Sequence, residues 1–415
     1  MKVSVLMITY NHEKFIAKAI ESVLMQQVNF EYELVIGEDC STDTTRQIAI
    51  DYQKRYPDHI RLLLPNNNLG MNPNLVNTFD ACQGQYIAIL EADDYWISPD
   101  KLQRQVDFLD ERPEYAICFH NAIIFWEDNR QSPGLFRHKQ KETSSIEDLL
   151  VENFIPTGSV MYRNGLIKNF PQWFYELSMG DWVIHILNAQ YGNIGYINEV
   201  MSAYRLHTQG VWTSKSDEQR LPAIIQMFSN IKEYLDIKYQ ATIDKSINYY
   251  SNGLNYLLKQ KEYEKSSISE TLCKTLSLRN INLIIFPNWE ETNNFLYENL
   301  KITIIKLISH HEISQLTLLI DISNVGIEYA ESILSDILFS ISLEENIDIP
   351  EDLSISFVGN MNQKEWTALL PWIYARISLD IETKEAIIQA QAQNIPLCDL
   401  DNINNIQAKQ INSEH

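Results

Sequence analysis

Residues 1–125 alternate short β-rich runs with segments of helical period, and this alternation admits few folds other than a parallel sheet flanked by helices. Strands are readable at Val3 to Thr9, Tyr32 to Glu38, Ile60 to Leu64, Tyr86 to Glu91 and Ala116 to His120. Between the first two, Phe15, Ala19, Ile20, Val23 and Leu24 recur at helical spacing; after the second, Ser41, Thr42 and Asp43 offer caps ahead of Ile48, Ala49 and Tyr52. These helices read as crossovers. In an open sheet of this kind ligands bind beyond the carboxyl ends of the strands, where loops and helix N-termini converge. The polar clusters fall at those ends: Thr9-Tyr10-Asn11, Glu38-Asp39, Asn66-Asn67-Asn68-Leu69-Gly70 and Glu91-Ala92-Asp93-Asp94.

The pattern pauses and resumes farther along. Residues 127–143 turn polar around Pro133 and Gly134, which reads as a surface loop. Leu221 to Leu276 reads as helices, with Ile224, Ile225, Phe228, Ile231 and Leu235 on one face. Beyond Arg279 new strands are readable at Ile281 to Phe286, Leu316 to Ile322, Ile355 to Val358 and Arg376 to Leu379, with helical runs between them. The predicted fold class is therefore α/β: an open, mostly parallel sheet over residues 1–215, a helical bridge over 216–278, a second, smaller α/β domain over 279–401 and a polar tail over 402–415. At 415 residues and 45% hydrophobic content the chain has material for more than one core.

Charge and composition exclude several functions. The 55 acidic residues outnumber the 33 basic ones, and a net charge of −22 repels nucleic acid and anionic lipid. Residues 280–415 hold 20 acidic and 6 basic residues and no Gly-rich phosphate loop, so an anionic ligand is disfavoured there. No apolar run approaches the roughly twenty residues of a membrane span, and the few apolar positions between Lys2 and Asn11 are too short for a signal segment. Five scattered cysteines without a C-x-x-C pair read as reduced and mostly buried. The predicted location is the cytoplasm.

Chemistry is suggested first by Asp93 and Asp94, adjacent carboxylates directly after an apolar strand. Such a pair repels unless a cation sits between it and a phosphate, and Mg²⁺ or Mn²⁺ takes oxygen ligands from few protein groups plus substrate. A helix cap with a solvated neighbour accounts for one of the two, less well for both together with Glu91.

The strings VSVLMITYNHEKFIAKAIESVL, ELVIGEDCSTDTT and GQYIAILEADDYW resemble the nucleotide-binding half of family 2 glycosyltransferases, which have the GT-A fold. The resemblance implies nucleoside contacts from Thr9, Tyr10, Asn11 and Asp39, with Glu38 a second acidic candidate. It places Asp94 at a Mn²⁺ or Mg²⁺ ion and Asp93 at the metal or the donor's sugar or ribose. Glu91 stands where Asp is commoner. In SMGDWVIHILNAQYG the resemblance makes Asp181 the general base of an inverting transfer, although Gly180 replaces the usual Glu and helix capping is the competing account. In MSAYRLHTQGVW, His207 resembles a late histidine that completes the metal site, and Arg205 could pair with the diphosphate. Trp212 suits an acceptor pocket and a core equally.

The implied function is sugar transfer from a nucleotide-diphosphate sugar, with UDP the family expectation, to a glycan, peptide or small-molecule acceptor. The competing classes are a nucleotidyltransferase, which usually opens on a Gly-rich basic loop that TYNHEKF is not, and a non-catalytic sugar-nucleotide or glycan-binding scaffold. The second domain resembles, weakly, an appendage of some bacterial glycosyltransferases, with acceptor docking or homo-oligomer formation as roles. His310 and His311 read as surface residues; Trp289, Trp366 and Trp372 read as core, with sugar stacking the alternative.

Overall fold

A computed structural model describes residues 1–290 and 294–406. The chain divides into two compact units, Met1–Leu257 and Leu258–His415. The predicted tail lies, from residue 407 on, outside the described residues.

The first unit runs β1 (Val3–Thr9), α1 (Ile16–Leu24), β2 (Tyr32–Glu38), α2 (Thr45–Arg55), β3 (Ile60–Leu63), α3 (Met71–Ala81), β4 (Tyr86–Ile89), β5 (Tyr95–Trp96), α4 (Lys101–Glu111) and β6 (Tyr115–Trp126). It continues through β7 (Gly134–Leu135), β8 (Thr143–Ser144), α5 (Ile146–Leu149), β9 (Met161–Arg163), α6 (Asp181–Ala189), β10 (Asn193–Leu206) and α7 (Asp217–Tyr234) into α8 (Gln240–Thr275). The strands form one sheet in the order β3-β2-β1-β4-β9-β6-β10-β5, with β7 on β6 and β8 on β10. β1 pairs in parallel with β2 and β4, β2 with β3, and β6 with β10, while β9 runs antiparallel between β4 and β6.

Period-two alternation decides which way each strand residue faces. Val3, Val5 and Met7 of β1 join Ile16, Ile20, Val23, Leu102 and Val106 from α1 and α4, whereas Leu6 joins Leu75, Val76, Trp182 and Phe228 from α3, α6 and α7. Each fully buried side chain of this kind stabilises by roughly 1.5–3 kcal/mol. Of the face predicted from Ile224, Ile225, Phe228, Ile231 and Leu235, all but the half-buried Ile225 are buried in the second of these clusters, together with Ile243 from the start of α8. The division between the units falls inside α8, within the segment read as a bridge.

The second unit holds β11 (Ile281–Ile285), α9 (Asn294–Ile308), β12 (Leu316–Asp321), α10 (Ile327–Leu343), β13 (Ile355–Val358), α11 (Gln363–Leu369), β14 (Ile373–Ile377), α12 (Lys384–Gln389) and β15 (Leu397–Cys398). Its five strands are all parallel, ordered β13-β12-β11-β14-β15. At the reversal point between β11 and β14, where an open sheet ordinarily takes its ligand, Pro287 pairs with Glu382, and Arg376 binds both Glu382 oxygens at 2.6 Å. Trp289 and Trp366 are buried as predicted; Trp372 is exposed. His310 is buried, contrary to the surface reading, because its Nδ1 accepts the Glu312 N–H at 3.0 Å and its ring stacks on that of His311. No helix among the described residues is long and apolar enough to cross a membrane.

Candidate active site

The ends of β1 and β2 are laced together by short polar side chains. Asn11, at φ 58°, accepts the Thr42 N–H on Oδ1 at 2.8 Å and donates its own N–H to Ser41 Oγ at 2.9 Å. Glu13 accepts the N–H and hydroxyl of Thr44 at 3.0 and 2.8 Å. Thr9 Oγ1 lies 3.3 Å from His12 Nδ1, while Tyr10 is exposed beside them. Glu38 is buried, accepts the Ser41 N–H at 2.7 Å and pairs with Arg46, so it braces this edge from behind. Asp39 accepts the N–H groups of Leu69 and Gly70 at 2.7 and 3.0 Å, which ties the Asn66 to Gly70 loop to β2. Burial raises the Asp39 pKa against the opposing pull of those two bonds.

The acidic cluster after β4 owes its placement to β5. That short strand pairs antiparallel with β10, matching Trp96 to Ser202 and Tyr95 to Ala203, so the residues just before it meet the end of β10. Asp94 Oδ1 accepts the Arg205 N–H at 2.8 Å, and Arg205 Nε donates to the Asp93 carbonyl at 2.7 Å. The Arg205 guanidinium also pairs with Glu127 and lies 4.6 Å from the Phe15 ring centre and 5.2 Å from that of Phe125. With its side chain only 7% exposed, Arg205 holds the acidic loop in place. His207 Nε2 stands 3.1 Å from Asp93 Oδ2, and its ring packs on Phe15 at 5.1 Å.

Burial raises the Glu91 pKa well above the ordinary range, helped by the charges of Asp93 and Asp181. Asp94 is raised likewise by burial, then by Asp93 and Glu91, against a smaller opposing effect of Arg205. Burial pushes Asp93 up too, but the His207 hydrogen bond and the charges of His12 and His207 outweigh it and leave its pKa low. Negative charge therefore concentrates on Asp93. His12 is itself lowered by burial, in spite of Asp93.

Asp181 approaches from α6. The N-cap of that helix is Gly180, so the carboxylate of Asp181 is not the capping group. Its Oδ2 accepts instead the Thr157 hydroxyl at 3.1 Å and Asn153 Nδ2 at 3.4 Å. A Cβ on residue 180 would stand 2.8 Å from Asn72 Oδ1 and 2.9 Å from Leu75 Cδ2. The glycine before Asp181 thus lets α3 pack against the start of α6, and any larger residue there requires these neighbours or the start of α6 to shift. Trp212 packs partly buried against the core, and its carbonyl accepts two Arg220 donors at 3.1 and 2.9 Å.

Asp93 and His207 bring an oxygen and an imidazole nitrogen side by side, next to the Asp94 and Glu91 carboxyls, and the carboxylate oxygens are the donors of this group that suit Mn²⁺ or Mg²⁺. Among the described residues no three His, Cys, Asp or Glu side chains are arranged as a complete ligand set, so a cation here would need substrate oxygens and water as well. The fold brings Asp93, Asp94, Arg205 and His207 together, with Asp181 near enough to act on Glu91. Thr9, Tyr10, Asn11, Glu38 and Asp39 line the neighbouring strand ends. Sequence reading passed over His12, Asn153 and Thr157. Only His12, directly after the Thr9-Tyr10-Asn11 cluster, carried a local signal.

Residues 4–170 match the family described as Glycosyl transferase family 2. An uncharacterized protein of Mycobacterium tuberculosis is 35% identical over 217 residues, 52% of this chain and 62% of that protein, so the chain spans less than two thirds of that relative's length. A Campylobacter jejuni protein named GalNAc(5)-diNAcBac-PP-undecaprenol beta-1,3-glucosyltransferase is 25% identical over 288 residues, 67% of this chain and 89% of that protein. Among solved structures, S. aureus TarS in complex with UDP-GlcNAc aligns over 85% of this chain and 95% of that chain, at 17% identity and a TM-score of 0.47.

Proposed function

We propose, from the match of residues 4–170 to the family 2 glycosyltransferases, that the chain is an inverting, metal-dependent glycosyltransferase that moves a sugar from a UDP-sugar to an acceptor hydroxyl, with Asp181 as general base. The observation that carries this reading is a pair of carboxylate centres with different surroundings around one site. Asp93 is charged and paired to His207 at the end of β4, and Asp181 is held on α6 by Thr157 and Asn153.

In this reading the nucleoside lies along Thr9, Tyr10, Asn11, Glu38 and Asp39, and its diphosphate reaches Asp93, Asp94 and His207. Bound there, Mn²⁺ or Mg²⁺ supplies neutralisation of the leaving diphosphate. Arg205 contributes by fixing the acidic loop. Asp181 takes the proton of the acceptor hydroxyl as its oxygen attacks the anomeric carbon; the bond to the diphosphate breaks on the opposite face, and configuration inverts. The β-linkage in the name of the Campylobacter relative is the outcome inversion produces from an α-linked donor. The uridine nucleotide is the family expectation, and the acceptor is assigned to the glycan, peptide or small-molecule kind. Five free cysteines support a cytoplasmic location.

The test is product analysis after incubation with UDP-, GDP- and dTDP-sugars, with and without Mn²⁺. Metal-dependent release of a nucleoside diphosphate is expected. Pyrophosphate as product would move the assignment to nucleotidyl transfer, and binding without turnover across donors and acceptors would favour the scaffold.

A further inference from the structure

We propose that Thr157 is the positioning residue of Asp181, fixing one carboxylate oxygen so that the other faces the acceptor. The inference rests on the reading of Asp181 as base. Both hydrogen bonds to its carboxylate fall on the same oxygen: the Thr157 hydroxyl at 3.1 Å and Asn153 Nδ2 at 3.4 Å. A carboxylate tethered in this way keeps its second oxygen at a fixed bearing, and transfer rates are sensitive to displacements of about 1 Å.

The hydroxyl is presented from a rigid support. Thr157 begins a single turn of 3-10 helix after Pro156, in which Ser159 donates both its N–H and its hydroxyl to the Pro156 carbonyl, at 2.9 and 2.6 Å. The indole of Trp96 donates to the Gly158 carbonyl at 2.8 Å, Gln105 Nε2 to the Ser159 carbonyl at 2.9 Å, and the Ile89 N–H to the Val160 carbonyl at 3.3 Å. Three elements, β5, α4 and β4, therefore anchor the turn whose first side chain meets the base. A β-branched residue suits this task, since its side chain has few rotamers.

The test compares T157V, which removes only the hydroxyl, with T157S, which keeps it, and with D181N, in the full chain with UDP-GlcNAc and Mn²⁺. Losing a hydrogen bond to a charged group, T157V is expected to lower kcat for UDP release about tenfold or more. Its KM for UDP-GlcNAc and its affinity for UDP should stay within about threefold, and T157S should recover most of the rate. Because the two residues act as a unit, T157V added to D181N should cost nothing further. Crystals of T157V should show the Asp181 carboxylate displaced and those of T157S should not, which decides the matter even if UDP-GlcNAc is a poor donor. T157V with wild-type turnover, or with Asp181 unmoved, overturns the proposal. If D181N collapses while T157V does not, only this inference falls; if D181N itself turns over normally, the assignment of the base falls as well.

Discussion

Asp181 is where a catalytic and a structural account diverge by a single atom. Asn at this position keeps the shape of the side chain and an oxygen for Thr157, but cannot take a proton. Loss of a positioned general base costs roughly 10²–10⁴-fold in rate. D181N should therefore suffer a loss of that order in sugar transfer, while its affinity for UDP changes less than about tenfold, or roughly 1.4 kcal/mol. A folded D181N that binds nucleotide and transfers at the wild-type rate would leave Asp181 with a helix-terminal role only. At this scale the sequence marks Asp93, Asp94, Asp181 and His207 as candidates because charged side chains directly after apolar runs are conspicuous. Thr157 and Asn153 are ordinary polar residues in a loop. Their meaning arises only when chain 24 and 28 residues away folds against them, a fact with no local trace.

At the scale of elements, α3 and α6 meet over a glycine that the sequence showed only as a departure from the family motif. A Cβ there would meet Asn72 Oδ1 and Leu75 Cδ2 below 3 Å, and Phe174 Cζ at 3.4 Å. Asn72 has little freedom to yield, since its Nδ2 donates to the carbonyls of Phe174 and Leu177, each at 2.8 Å. The start of α6 must move instead, carrying Asp181 with it. G180A is accordingly expected to lose stability by about 1–3 kcal/mol, as overpacked sites do, and to lose turnover while retaining UDP binding. Urea denaturation and UDP calorimetry check the two halves of that forecast, and a variant unchanged in both would refute the packing account of Gly180. The parallel strands β1 to β4 were legible because period-two apolar runs alternate with amphipathic helices. β9 and β15 were not, being three and two residues long, too short for any period to show. β6 extends past the predicted end at His120 to Trp126 because β10 pairs with it along that whole length, with bulges near Ile197 and Val200.

For the molecule as a whole, the question is whether chemistry and its support reside in one unit. The two apolar clusters around the large sheet draw only on residues up to Tyr250, and the two around the small sheet only on residues from Ile268 onward. Every residue assigned to donor, metal or base lies in the first group. Helix α8 contributes Ile243 to that core and, through Ser246 and Tyr250, donates to the carbonyls of Leu150 and Val151 at 2.5 and 3.3 Å, so a fragment needs the first half of α8 to close its core. A chain ending at Leu257 satisfies this; one ending at Tyr234 deletes those contacts. The 1–257 fragment is therefore expected to unfold cooperatively and to bind UDP with Mn²⁺ within about tenfold of the full chain, roughly 1.4 kcal/mol, whereas 1–234 should be markedly less stable. Turnover by 1–257 with the acceptor replaced by water would place the whole chemical step in the first unit. A fragment that folds and binds UDP yet releases none from UDP-GlcNAc, under conditions where the full chain does, would require the second unit to complete the site.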